Sequence, residues 1–169
     1  MGQITNFPNT VNVGVLSIAD VEITATAAQI NASVGGGVSD VTAATYTVSS
    51  ADVGKLITLN RAAGIAVTLP AATGAGTEYK FFVGTTVTSN SITITRAGND
   101  TMFGTAYVAQ DGGDTLVAFE AAGSTVITLN GTTTGGIKGN IVTLIDAALD
   151  TWSVIVNGSA TSTEATPFS

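Results

Sequence analysis

The chain has 169 residues, a formal charge of −7, and neither histidine nor cysteine. It therefore lacks the side chains that most often transfer protons near neutral pH, attack as thiolates or bind soft metal ions. Its acidic balance also opposes binding to nucleic acid, which requires clustered cations. The composition favours a structural or binding protein, and we expect no enzymatic activity, no cofactor and no metal site.

The N-terminal part is predicted to be an extended arm. Pro8 discourages regular structure, whereas Val11, Val13 and Val15 alternate with smaller or polar residues as in a half-buried strand. Two interpretations remain open at this stage. The segment could add a strand to the sheet of its own domain, or it could reach a neighbouring subunit.

One short helix is predicted to follow the arm. Residues 26–29 (TAAQ) fit a capping box, which predicts a helix over about 26–33. The glycines at 35–37 end this helix and give the backbone the freedom of a hinge. We therefore divide the chain near Gly37, into an arm with the helix over 1–37 and a β-body over 38–169. We expect no signal peptide and no membrane span, because the apolar runs are short.

The body is predicted to be all-β. Short runs of Val, Ile, Thr, Tyr and Phe are separated by Gly, Asn, Asp and Pro at intervals of about 10 residues, which is typical of a sandwich or barrel. We expect an antiparallel, jelly-roll-like arrangement. The predicted strands cover 45–48, 55–59, 65–69, 78–83, 91–95, 105–110, 115–119, 124–129, 141–145 and 152–156.

Two parts of the body have weakly similar sequences, a similarity that we call the internal echo. Residues 57–60 (ITLN) recur as 127–130, and each copy is followed by a VTL segment, at 67–69 and at 142–144. Two related sheets that face each other would explain both copies, although β-rich sequences also echo by chance.

Acidic residues give two candidate sites, and neither is convincing. Residues 111–114 (DGGD) could contribute to a calcium site, but further oxygen ligands are missing, so we predict an exposed turn between strands that end at Gln110 and begin at Thr115. We predict exposed turns also for residues 99–100 and 146–150. Glycoside hydrolysis needs only two carboxylates, yet the available glutamates form no evident pair. They are Glu22, Glu78, Glu120 and Glu164.

The largest aromatic side chains are predicted to belong to the core. Trp152 and Phe81 would each bury a large apolar area. Because Phe81 and Phe82 are consecutive in a predicted strand, they point to opposite faces of the sheet. One of the pair is therefore available to contact a partner subunit.

Several segments resemble β-modules of tailed-bacteriophage virion proteins. The likeness begins at residues 23–31 (ITATAAQIN) and continues through 67–74 (VTLPAATG), 79–83 (YKFFV) and 92–94 (ITI). Residues 97–104 (AGNDTMFG) resemble a recurrent turn of these proteins, and 150–155 (DTWSVI) also fit. The likeness extends from about Val21 to Gly158 and carries no catalytic residues.

The resemblance implies a virion protein, and such modules occur both in head-decorating proteins and in tail fibres. A short arm before one compact body favours the head, since fibres usually contain long repetitive shafts. The expectation is a capsid decoration (cement) protein on the outer capsid surface, a homotrimer that bridges subunits of the major capsid protein. We assign self-association to the β-body and lattice contact to apolar residues of the arm. These are Ile4, Phe7, Val11, Val13, Val15 and Leu16.

Other functional classes stay open. A host-recognition module of a head or tail fibre would bind saccharide or a receptor through loops at one end of the sandwich. A bacterial surface or matrix protein would share the acidic, threonine-rich composition, although the expected absence of an export signal counts against it. An enzyme is the least favoured class.

Overall fold

The computed structural model describes residues 17–18, 21–22 and 36–169, and the regular structure in these ranges is almost entirely β. The strands are β1 (Ser17–Ile18), β2 (Val21–Glu22), β3 (Val38–Val41), β4 (Thr45–Thr47), β5 (Leu56–Leu59), β6 (Ala66–Thr68), β7 (Glu78–Val83), β8 (Ile92–Thr95), β9 (Thr101–Gln110), β10 (Thr115–Ser124), β11 (Val126–Leu129), β12 (Ile141–Ala148) and β13 (Thr151–Ala160). Short 3-10 turns lie at Ser50–Asp52 and Asp111–Gly113. The predicted all-β class is confirmed.

Two sheets build the body. The large sheet has seven strands in the order β10-β9-β13-β12-β7-β5-β3, and the small sheet has four in the order β11-β8-β6-β4. Residues from the inner faces of both sheets belong to one hydrophobic cluster. The body is therefore a two-layer sandwich with a single core. Separately, β1 and β2 pair with each other in an antiparallel ladder.

The first half of the body corrects the predicted topology. From β3 to β8 the chain alternates between the sheets, so that β3, β5 and β7 run parallel in the large sheet, and β4, β6 and β8 run parallel in the small one. Because each strand is followed by one in the opposite sheet, the chain re-enters each sheet in the same direction. The antiparallel, jelly-roll-like prediction is wrong for this half, which is a short parallel coil.

The second half is mostly antiparallel. β9 pairs with β10, and β12 pairs with both β7 and β13, in antiparallel ladders. β11 joins the small sheet antiparallel to β8. The exception is the ladder between β9 and β13, which is parallel. This ladder joins the β9–β10 hairpin to the rest of the large sheet.

The core contains the aromatic residues predicted for it. Trp152 is fully buried, Phe81 is 1% exposed, and the rings of Tyr79 and Trp152 lie with their centroids 6.0 Å apart. Along β7 buried and more exposed residues alternate, so Phe82 lies on the opposite face and is half-buried. The predicted opposition of Phe81 and Phe82 is confirmed.

Close packing between β9 and β13 requires a glycine at position 104. The φ angle of Gly104 is 150°, and a Cβ atom there would overlap the carbonyl oxygen of Val154, its neighbour in β13. A side chain at this position would force the two strands apart. The last glycine of the 97–104 segment thus has a packing role.

Every strand predicted from residue 45 onward is present, but several ends differ. β9 begins earlier than predicted, at Thr101, and β10 continues to Ser124. The strand β3 (sequence VSDV) was not predicted, because only Val41 of its four residues is buried and no apolar alternation marks it.

The predictions for the arm lie mostly outside the described residues. These include the helix over 26–33 and the alternation of Val11, Val13 and Val15. The division near Gly37 stays a prediction. In the continuous part of the chain, the backbone N–H of Gly36 donates to the carbonyl of Gly54, so the chain enters the body beside the start of β5.

The internal echo does not define a repeated unit. The two ITLN copies lie in β5 of the large sheet and β11 of the small sheet. The first VTL segment overlaps β6 of the small sheet, and the second lies in β12 of the large sheet. The strands that come next in the two copies, β7 and β13, both belong to the large sheet. The copies are therefore not equivalent as whole units.

The edge of the small sheet at β11 is covered by the segment that ends the described chain. The N–H of Thr128 donates to the carbonyl of Pro167, and Val126 exchanges backbone hydrogen bonds with Ser169. Phe168 is buried and pairs with Ile127. β4 is the other edge of the small sheet, and β10 and β3 are the edges of the large sheet. No helix in the described part of the chain is both long and apolar enough to cross a membrane.

The alternation in β7 makes a stability prediction. We expect Phe81→Ala to lower the free energy of unfolding by about 3–5 kcal/mol, because it leaves a cavity in the core. Phe82→Ala, which removes a half-buried ring from the outer face, should cost less than about 1.5 kcal/mol. Urea denaturation of both variants measures the difference, and equal losses would contradict the assigned faces.

Candidate interaction surface

Glu78 and Glu120, two of the glutamates considered for glycoside hydrolysis, do not form a pair. Glu78 lies on β7 and Glu120 on β10, and three strands separate β7 from β10 in the large sheet. At about 4.8 Å between neighbouring strands, that separation is about 19 Å, well beyond the roughly 5–10 Å of glycosidase carboxylates. Glu164 accepts a hydrogen bond from the Thr115 hydroxyl. The side chain of Glu22 lies outside the described part.

The acidic segment 111–114 forms the predicted turn. β9 ends at Gln110 and β10 begins at Thr115, with the 3-10 turn Asp111–Gly113 between them. Asp114 has a φ of 48°, the left-handed conformation that Asp tolerates in turns. Among the described residues, no group of three or more Asp, Glu, His or Cys side chains is placed to hold a metal ion.

The prediction of exposed turns is wrong for Asp100 and Asp146, which are 2% and 4% exposed. Asp100 is a buried carboxylate that connects three segments of the body. Its Oδ2 accepts hydrogen bonds from the backbone N–H of Ala72 at 2.8 Å and from the indole N–H of Trp152 at 3.2 Å. The backbone adds two further links, from the Asp150 N–H to the Ala72 carbonyl and from the Thr101 N–H to the Asp150 carbonyl. Hydrogen bonds at Asp100 and the neighbouring backbone therefore join three segments that resemble virion proteins, 67–74, 97–104 and 150–155.

A second buried carboxylate, Asp146 near the end of β12, fixes the loop that precedes β7. It accepts hydrogen bonds from the backbone N–H groups of Thr73, Gly74 and Ala75 and from the Thr73 hydroxyl. Burial raises the pKa of Asp146, but these hydrogen bonds, that from Gly74 foremost, outweigh burial and lower the pKa below its ordinary value. The hydrogen bonds that the loop donates therefore stabilise the charged form of Asp146.

A third carboxylate, Asp52, caps the turn Ser50–Asp52. It accepts hydrogen bonds from the Ser49 N–H at 2.9 Å and from the Tyr46 hydroxyl at 2.5 Å. Burial, and then the bond to Asp52, raise the pKa of the Tyr46 hydroxyl. Burial alone would raise the pKa of Asp52, but the bonds from Tyr46 and Ser49 lower it overall. All three buried carboxylates are thus engaged in holding backbone or core side chains.

The two outward faces of the sandwich differ in chemistry. The outer face of the small sheet is lined mainly by threonine, which combines high β-propensity with a polar hydroxyl. Its members are Thr45, Thr47, Thr68, Thr93, Thr95 and Thr128, with Ala66 and Val126 completing the two rows. We call this the threonine face. It has the composition expected of a surface that faces water.

The outer face of the large sheet carries large exposed apolar side chains among polar ones, and we call it the apolar face. Phe103, Tyr107 and Ile155 are 48%, 42% and 46% exposed on adjacent strands. Every strand of this sheet contributes at least one large apolar side chain to the same face. These residues are Val38, Leu56, Phe82, Ile141, Ile145, Ile155, Phe103, Tyr107 and Leu116.

Strand register places these side chains in rows across the sheet. Tyr107, Asn157, Ile141 and Phe82 are successive partners in one row. In the next row Ile155 lies between Thr105 and Thr143. Within each row, polar side chains such as Asn157, Thr105 and Thr143 separate the large apolar ones. Exposed apolar side chains of this size on adjacent strands make the face a candidate interaction surface.

Within the described part of the chain, four charged side chains lie on the apolar face. Lys80 and Glu78 form an ion pair at 3.2 Å and so offset each other. The remaining carboxylates of this face belong to the edge strands, Glu120 on β10 and Asp40 on β3. The central strands β9, β13 and β12 place no charged side chain in the rows from Phe103 to Tyr107.

The predicted contact residues of the arm, Ile4, Phe7, Val11, Val13, Val15 and Leu16, all lie outside the described residues. The structure instead places large apolar side chains on the outer face of the large sheet, and of these the sequence analysis anticipated only Phe82, as one of the pair Phe81 and Phe82. The available signal was the run of consecutive apolar residues in β12 and β13, such as Val154, Ile155 and Val156. Such runs indicate a strand that is apolar on both faces.

Comparisons with protein-family models, curated proteins and solved structures give no match for this chain.

The hydrogen bonds that Asp146 accepts predict that the stability of the fold depends on pH. Asp146→Asn replaces a carboxylate oxygen with an amide donor that cannot accept the Ala75 N–H, and we expect a loss of about 1–3 kcal/mol at pH 7. Because the folded-state pKa lies below the ordinary value of 3.8, the wild-type carboxylate stabilises the fold above that pH. Its contribution is lost as the pH falls through the folded-state pKa, so the difference between the two proteins should then shrink.

Urea denaturation at pH 7 and at a series of lower pH values measures this difference. Asp114→Asn is the matched control, since Asp114 is exposed in a turn whose conformation asparagine also adopts. A difference between wild type and Asp146→Asn that stays constant with pH would contradict the assigned role.

Proposed function

We propose that the chain is a virion structural protein that decorates and stabilises the outer surface of a tailed-phage capsid by bridging major capsid protein subunits. It acts as a homotrimer, without enzymatic activity, cofactor, nucleic acid or membrane. The observation that carries this proposal is the apolar face, a surface suited to protein contact on a body whose buried carboxylates are engaged structurally. The segments that resemble virion proteins support the capsid surface as the location of the protein.

Such a protein works by mass action. A component that binds the assembled shell, but not its separated subunits, shifts the equilibrium toward the shell. At a free concentration of 100 times Kd, each occupied site adds about 2.7 kcal/mol. A rigid body is an advantage here, because little conformational entropy is lost on binding.

The proposal divides the contacts between two parts of the chain. The arm reaches the lattice through its apolar residues, and the β-body holds the copies together. Support for this division comes from Gly36, which hydrogen-bonds to Gly54 and so brings the chain into the body beside β3 and β5, at one edge of the large sheet. The arm is thus attached at the periphery of the apolar face.

A fibre module for host recognition is the second candidate, favoured by the parallel coil of β3 to β8. Stacked parallel coils are the way in which elongated repeat proteins grow. Binding of the full chain to a glycan array, together with failure to occupy capsid shells, would favour this candidate over capsid decoration.

The arm makes the decisive prediction for capsid decoration. We expect Val11→Asp, Val13→Asp and Val15→Asp together to reduce occupancy on shells that lack the protein at least about 100-fold, since burying three charges removes well over 2.8 kcal/mol. Deletion of residues 1–20 should abolish decoration and leave a folded body. Occupancy is measured by cosedimentation with shells and by cryo-electron microscopy.

The matched control adds the same three charges to the same segment without removing apolar side chains. It carries Asn6→Asp, Asn9→Asp and Asn12→Asp. This control should keep most of the occupancy. If the valine variant decorates shells as well as wild type does, lattice contact does not depend on these side chains and the division of roles is wrong.

A further inference from the structure

We infer that the open edge of β10 binds an extended segment of a partner protein, a segment with alternating apolar residues and with a Lys or Arg beside Glu120. Such a segment adds a further strand to the large sheet, through backbone hydrogen bonds to the edge. This goes beyond the proposed function, which assigns no contact to the edge of β10.

β10 is the longest of the strands that form the edges of the two sheets. The edge at β11 is covered by residues 167–169, and the edge strands β3 and β4 have only four and three residues. In contrast, β10 has ten residues and a single neighbour, β9. The pairing of the two strands is regular from Thr115 to Ala122, and a register shift comes only before Ser124. β10 therefore presents a long and regular edge.

The backbone of this edge is free to pair. Alternate residues of β10 direct their N–H and C=O groups away from β9. Within the described part of the chain, no segment besides β9 forms backbone hydrogen bonds with residues 115–124. Edge strands are usually protected by Lys, Pro, a bulge or a covering segment, and residues 115–122 contain no Lys, Pro or bulge. The edge is therefore a template for a further strand.

Apolar side chains border the edge on both faces of the sheet. Leu116 is 67% exposed on the apolar face, and Val117, which points to the opposite face, is 36% exposed. Ala118 and Ala122 are exposed as well. Side chains of an added strand would contact these residues from the side that β9 leaves open. Cross-strand contacts and burial of this kind favour a partner strand that is itself apolar at alternate positions.

Glu120 determines the charge that the partner must bring. It is exposed, and neither β9 nor β10 contains Lys or Arg. The cation in its row across the sheet is Lys80, which lies four strands and about 19 Å away and is paired with Glu78. Opposite charges on adjacent strands stabilise their pairing, whereas like charges destabilise it. A Lys or Arg beside Glu120 therefore complements this edge.

The counter-charge has to come from a different protein. In a second copy of the chain, the edge strand of matching length is β10 itself, which brings another Glu120 and no cation. The arm of this chain is no better suited, because residues 1–19 contain no charged side chain. Charge complementarity thus favours a basic partner segment over either of these occupants.

Peptide binding to the full chain tests the charge and the location together. The probes are a short peptide of alternating Val and Thr with a central Lys, and its counterpart with Glu in place of that Lys. We expect the Lys peptide to bind about five- to tenfold more tightly, since it replaces a like-charge pair with an opposite-charge pair. NMR titration of the isotope-labelled chain should show saturable shifts at the amides of β10 and none at those of β3.

A charge reversal at Glu120 provides the matched comparison. Glu120→Lys should reverse the preference, so that the Glu peptide binds more tightly. The control is Asp40→Lys, which makes the same charge change on β3, the opposite edge strand of the same sheet, and should leave the preference unchanged. Circular dichroism melts check that both variants are folded, and the comparison of the two peptides on the wild type needs no variant.

Amide hydrogen exchange gives a second readout. In the free full chain, alternate amides of residues 115–122 should exchange rapidly, and the Lys peptide should slow them. Slow exchange of all these amides in the dilute free chain would show that the arm or a second copy already fills the edge, and would overturn the inference. Equal affinity for the two peptides, shifts confined to another strand, or no saturable binding would overturn it as well.

Discussion

The architecture depends on a small set of buried carboxylates, and on Asp100 above all. Its Oδ2 binds the N–H of Ala72 and the indole N–H of Trp152, the largest side chain of the core. A buried carboxylate without partners would be strongly destabilising, so its position and those of its donors determine one another. Asp146 repeats this arrangement on the same loop, through Thr73, Gly74 and Ala75. Together they lock the crossover before β7 to the β12–β13 hairpin, which joins the parallel half of the body to the antiparallel half.

This use of carboxylates has a functional consequence. Among the described residues, some acidic groups make structural hydrogen bonds, such as Asp52, and Glu78 and Glu120 are exposed and lie far apart. Catalysis by paired carboxylates needs two groups that converge on one substrate. The threonine face and the apolar face differ in chemistry, and the apolar face is the candidate interaction surface of the body.

The difference between the two outer faces is not explained by β-propensity. Both outer faces belong to strands of similar composition, and threonine would have served on either face as a residue that suits strands and water. On the large sheet, Phe103, Tyr107 and Ile155 occupy the equivalent outward positions. Exposed side chains of this size gain stability only when a partner removes them from water.

The sequence by itself determined the all-β class, the position of β7, the turn between Gln110 and Thr115, and the core roles of Phe81 and Trp152, since these follow from local periodicity and turn chemistry. It did not determine the parallel pairing of β3 with β5 or of β6 with β8. Alternation shows which side of a strand is buried, but not which strand lies beside it. Only the tertiary structure decided that Val154 and Val156 are buried whereas Ile155, between them, is exposed. The sequence of a strand that is apolar on both sides is the same whether one side or both sides are covered by other elements.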